Sequence, residues 1–105
     1  MGNQVYIVQD DGNRDFSKAE TFGTLIPMIE RDIFPDDVEE RTEAVRGIIR
    51  AKLKDFRPLY DYVLLTGDPV ALVITGIELQ AMFGDEMIRL LKYDRENSAY
   101  YEVLV

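Results

Sequence analysis

Two short runs, Val5-Tyr6-Ile7-Val8 and Tyr62-Val63-Leu64-Leu65, are apolar at every position instead of at alternate ones. A strand of that kind has no face to give to water, so it belongs inside a sheet covered on both sides. The first run is closed by the turn residues Asp10-Asp11-Gly12-Asn13. Helical periodicity between such strands selects the α/β class.

The remaining elements follow from spacing. Residues 10 to 21 read as a polar loop, and Phe22 to Ile29 as a second strand. Pro27 cannot donate to a central ladder, so this strand belongs at an edge or a bulge. From Asp36 to Phe56, the residues Val38, Val45, Ile49, Leu53 and Phe56 recur on one helical face, widened by Ile48. Asp36 with Glu39, or Asp37 with Glu40, supplies a capping box. Acids crowd the first turn, whereas Arg50, Lys52 and Lys54 stand near the end, as the helix dipole favours. Arg57-Pro58 ends the helix.

After the strand at Tyr62–Leu65, Asp68 suits a helix N-cap and Pro69 the first helical position. That second helix runs to Phe83, and Gly84 provides the exit. It is apolar almost all round, so it is either deeply buried or covers a partner. Gly76 in its middle suggests a close approach. Met87 to Tyr93 and Tyr100 to Val105 read as strands joined by a turn at 94–98, with Glu102 across from Arg89 or Lys92.

The expectation is one 105-residue α/β domain with a mixed sheet of about five strands in ββαβαββ order and two helices. Strands two, three and four run parallel through right-handed crossovers, and strands one and five are antiparallel additions. Either one helix lies on each face, or the bare face meets another subunit.

Composition narrows function more than it identifies it. With no cysteine there are no disulfides, thiolate metal sites or cysteine nucleophiles. With no histidine there is no Ser-His arrangement and no imidazole base or ligand. The net charge of −8 repels phosphate backbones, so direct nucleic-acid binding is not expected. The start lacks a basic region followed by an apolar run, and Tyr6 stands where a myristoylation motif needs Ser or Thr. No apolar stretch reaches membrane-spanning length. A soluble, cytoplasmic chain without cofactor or metal is the resulting expectation.

Four candidate sites remain. Thr66-Gly67-Asp68-Pro69 leaves a strand for a helix N-terminus, where ligands gather in open α/β sheets. No phosphate-binding glycine motif is present, and Asp68 is fully accounted for as a cap. Asp94 and Arg95 share that sheet edge if strands three and four are parallel neighbours. The ligand-binding set is therefore Thr66, Gly67, Asp68, Asp94 and Arg95, with no catalytic residue assigned. Asp11-x-Asn13-x-Asp15 opens like a calcium loop, but Phe16 and Phe22 occupy its glycine and glutamate positions. Tyr93, Tyr100 and Tyr101 suit sheet-face packing or an interface.

The stretch Asp61–Pro69 before an apolar helix, followed by Leu91-Lys92-Tyr93-Asp94-Arg95, resembles a group of small proteins from tailed phages and bacteria. In those a strand ends in a Gly-Asp-Pro turn, and Leu-Lys-Trp-Asp-Arg lies near the C-terminus. The opening Val5–Gln9 and the Phe22-Gly23 region are similar too. Tyr93 replaces the usual tryptophan. The resemblance implies a phage or bacterial origin and a cytoplasmic setting, and it transfers no site.

The leading functional expectation is a non-enzymatic accessory factor that binds a host or viral protein, with a homodimer through the sheet face or the apolar helix. One rival is a small ligand-binding or magnesium-dependent enzyme at the shared sheet edge. Another is an acidic mimic of nucleic acid that inhibits a host protein.

Overall fold

The computed structural model describes residues 2–105 and places β1 (Gln4–Gln9) inside a five-stranded sheet. The strand order is β2 (Thr24–Ile29), β1, β3 (Tyr62–Leu64), β4 (Arg89–Asp94), β5 (Ala99–Leu104). With α1 (Val38–Leu53) and α2 (Pro69–Phe83), the chain runs ββαβαββ, as its periodicities require. Pro27 lies on an edge strand, as its missing N–H demands.

One part of the expected topology is corrected. β1 is parallel to both β2 and β3 and is not an antiparallel addition; only β5 is antiparallel. Complete burial of Val5–Val8 explains this, because only an interior strand is covered on both faces. The connection 10–23 is long enough for the parallel crossover, which takes a dozen or more residues. It is also more than a polar loop. A short 3-10 helix at Ser17–Thr21 buries Ala19, and Phe16 is buried just before it.

The layers follow from chain direction. From β1 to β2 the chain moves one way across the sheet; from β2 through β3 to β4 it moves the other. Crossovers of one hand then put α1 and α2 together on one face and the 10–23 segment on the opposite face. Two cores result. Tyr6, Val8 and Val63 pack with Val45, Ile49, Leu53, Phe56, Ala71 and Ile74. Val5, Ile7, Tyr62, Leu64 and Leu91 pack under Phe16 and Ala19. The second face is thus covered by the 10–23 connection with its short 3-10 helix, not by an α-helix.

Local details both match and depart from expectation. Asp68 caps α2 by accepting from Val70 N at 2.8 Å, Pro69 is the first helical residue, and Gly84 leaves the helix at φ +59°. Arg89 lies diagonally across from Glu102, with Nε 3.7 Å from Oε1. The α1 capping box does not form. A 3-10 turn at Pro35–Asp37 leads into α1, and Asp37 pairs with Arg31 at 3.3 Å instead. That turn also leaves Val38 exposed. Gly76 lies on the outer side of α2 and approaches nothing: a Cβ there would meet no atom within 4 Å.

Two buried carboxylates join elements. Asp61 accepts from Gln4 N at 2.9 Å and from Arg57 N at 2.8 Å, tying the start of β1 to the approach of β3. Glu78, the only charged residue of α2, points inward to Arg50 Nε at 2.6 Å and Arg46 at 3.1 Å on α1. Hydrogen bonding to Arg50 holds its pKa below the ordinary value near 4.5. A lowered folded-state pKa stabilises above the unfolded value and ceases to do so as pH falls through the folded one. Glu78→Gln therefore lowers stability by about 2 kcal/mol at pH 7. In urea titrations the gap from wild type should narrow progressively below pH 4.5.

Candidate functional site

Where a parallel sheet reverses its winding direction, the connections leave on opposite faces and a crevice opens beyond the strand ends. Here that point lies between β1 and β3. The crevice encloses about 290 Å³ and is lined by Gln9, Asp11, Arg14, Asp32, Thr66, Gly67, Asp68 and Pro69. Sequence reasoning placed Thr66, Gly67 and Asp68 at such a rim, next to β4. Their nearest polar partners come from the β1 and β2 side.

Gln9 organises the crevice. Its Oε1 accepts from Asp68 N at 2.6 Å, and its Nε2 donates to Asp32 Oδ1 at 2.6 Å. Gly67 has φ +113°, and a Cβ there would collide with the Gln9 side chain, so glycine is required twice over. Asp68 is fully engaged: Oδ1 caps Val70 N, and Oδ2 accepts from Ile33 N at 2.9 Å. The carboxylate fixes both the α2 terminus and the exit of β2, leaving the helix cap as its visible role. Gln9, Arg14 and Asp32 escaped the sequence reading because nothing in their spacing shows that β1 adjoins β3.

Arg14 donates to Thr66 Oγ1 at 3.0 Å and separates the crevice from a second pocket of about 400 Å³. Phe16, Lys18, Leu64, Tyr93 and Tyr100 help to line it. The Tyr93 and Tyr100 rings meet edge to face at 5.1 Å. Burial, and then the neighbouring Tyr93, raises the Tyr100 pKa. These two tyrosines pack on the loop-roofed face, whereas Tyr101 stands on the other.

Asp94 and Arg95 reach the same rim, since β3 and β4 are parallel with Leu64 opposite Leu91. They line neither of these two cavities. Asp94 turns back into its own hairpin, accepting from Asn97 Nδ2 at 2.6 Å and Glu96 N at 3.0 Å, which lowers its pKa. Asp11 and Asp15 likewise accept from Asn13 N and Ser17 N. Among the described residues no cluster of acidic side chains has metal-holding geometry.

A different surface stands out on α2. Val70, Val73 and Ile77 are 49%, 62% and 50% exposed and follow one another along the helix. Beside them a groove of about 500 Å³ runs between α2 and the sheet, with Val63, Leu65, Leu72, Gly76, Leu79 and Val105 among its walls. No helix among the described residues is long and apolar enough to cross a membrane.

The family model for the Phage Pam3 gp32-like protein matches residues 3–105. No curated protein and no solved structure matches the chain.

The engaged state of Asp68 predicts what its removal does. Asp68→Ala takes away the helix cap and the Ile33 tie together, lowering stability by about 2 kcal/mol. Thermal or urea unfolding measures this directly.

Proposed function

The chain belongs to the Phage Pam3 gp32-like protein family, and on that premise we propose that it is a non-enzymatic accessory factor that binds a protein through the outer face of α2. The observation that carries this reading is the inverted helix. Its one charged side chain faces the core, while Val70, Val73 and Ile77 face outward. In a chain of net charge −8, a charge-free helical face of this kind resembles the centre of an interface, where charged residues are depleted. Isolated exposed apolar residues need no explanation, but a contiguous row beside an apolar groove does.

The rim carboxylates favour this reading over the enzymatic one, because Asp68 and Asp94 are spent on backbone amides. Arg41, Arg46 and Arg50 punctuate the acids of α1, which favours it over mimicry of a nucleic acid.

The test is a binding comparison on folded protein. Val73→Asp and Ile77→Asp place charges on an already solvated face, so each changes stability by less than about 0.5 kcal/mol. Each should weaken capture of the cognate phage or host protein at least tenfold, about 1.4 kcal/mol. Capture unchanged in both variants would remove α2 as the binding surface.

A further inference from the structure

The pocket beside Tyr93 and Tyr100 holds cations that no acid of the chain neutralises. It encloses about 400 Å³, the scale of small-ligand sites, and opens beyond the carboxyl ends of β3 and β4. Three charged side chains line it: Arg14, Lys18 and Asp15. Among the described residues neither cation has a carboxylate within salt-bridge distance, although the chain carries 20 acids. Neutral oxygens position both instead. Arg14 donates to Thr66 Oγ1 at 3.0 Å, and Lys18 donates to the Ser98 carbonyl at 2.9 Å. One cation is thereby held at the end of β3 and the other at the β4–β5 turn, and each keeps further donors. Asp15 is spent locally, since its Oδ1 accepts from Ser17 N at 2.8 Å.

The rest of the lining is mostly aromatic and apolar. Phe16 and Leu64 are buried, whereas Tyr93 is 42% exposed and leaves ring surface for another flat group. Burial raises the Tyr100 pKa, so its phenol stays protonated at neutral pH and keeps a donor. The Thr66 hydroxyl accepts from Arg14, which leaves its own proton to donate. Cations, hydroxyl donors and an open ring therefore share one cavity, and together they suit an anion that carries a flat apolar part.

The charge count narrows the anion. A phosphate monoester bears close to two negative charges at pH 7, matching the two cations, and its oxygens accept several bonds at once. A nucleobase supplies the flat part, because every base has a face that stacks on an aromatic side chain. The overall charge of −8 does not forbid this ligand. Salt screens separated surface charges over about 8 Å, and the lining itself carries two cations against one acid. We propose that this pocket binds a mononucleotide, with the base on Tyr93 and the phosphate against Arg14, Lys18 and the Thr66 hydroxyl. The site is separate from the outer face of α2 and does not depend on the function proposed above.

The test is an NMR titration of the full chain with adenosine and uridine 5′-monophosphate at physiological salt. Saturable shifts should appear at the amides of Lys18, Thr66 and Tyr100, with a Kd of about 1 mM or below for at least one of the two. The nucleosides and inorganic phosphate alone should each bind at least about tenfold more weakly. Arg14→Gln and Lys18→Gln alter exposed side chains, so the urea midpoint should hold while nucleotide affinity falls about tenfold in each. Tyr93→Leu should weaken the nucleotide and leave inorganic phosphate unaffected. No saturable shift up to about 10 mM, or shifts confined to Gln9 and Asp32 of the neighbouring crevice, would overturn the proposal. So would inorganic phosphate binding as tightly as the nucleotide, or wild-type affinity in either glutamine variant. Ile77→Asp should bind the nucleotide like wild type, so failure here and failure of the α2 reading give different results.

Discussion

Burial of Val5–Val8 on both sides is the constraint from which the architecture follows. Polar cover cannot satisfy that strand, so it lies inside the sheet, between β2 and β3, and needs apolar material above and below it. One layer comes from α1 and α2; the other comes from Phe16 and Ala19 in the connection to β2. Because β1 lies between β2 and β3, the chain reverses direction across the sheet. The reversal opens the crevice that Gln9 then closes with its bonds to Asp68 and Asp32. Core, layering and rim are three consequences of a single apolar strand.

A second constraint sets the rotation of α2. Hydrophobicity alone does not orient a helix that is apolar nearly all round. Glu78 does, since an unpaired carboxylate inside would be costly and the α1 guanidiniums stand within 2.6 and 3.1 Å of it. Thr75 completes the inward polar row by donating to Ala71 O at 2.8 Å. The rotation that satisfies these groups sends Val70, Val73 and Ile77 to the surface. A charge pair between two helices thus decides which apolar residues of α2 face solvent.

Legibility followed the range of the interaction. Elements defined by local chemistry, such as the Asp68-Pro69 start of α2, its Gly84 exit and the edge position of Pro27, were readable from neighbouring residues. The α1 capping box was readable and did not form, because Asp37 is drawn to Arg31. Thr66, Gly67 and Asp68 were placed at the correct rim, whereas Gln9, some sixty residues away in sequence, was invisible until β1 and β3 were neighbours.

The chain's own order of residues determined that five strands and two helices would form in ββαβαββ order, where α2 begins and ends, and that histidine and cysteine chemistry is absent. Periodicity and capping act over a few residues, so they survive in a linear reading. Tertiary structure alone decided the direction of β1, the shared face of the two helices, the outward turn of the apolar α2 stripe and the partners of Asp68. Each of these depends on groups brought together from distant parts of the chain, and spacing along a sequence carries no record of such encounters.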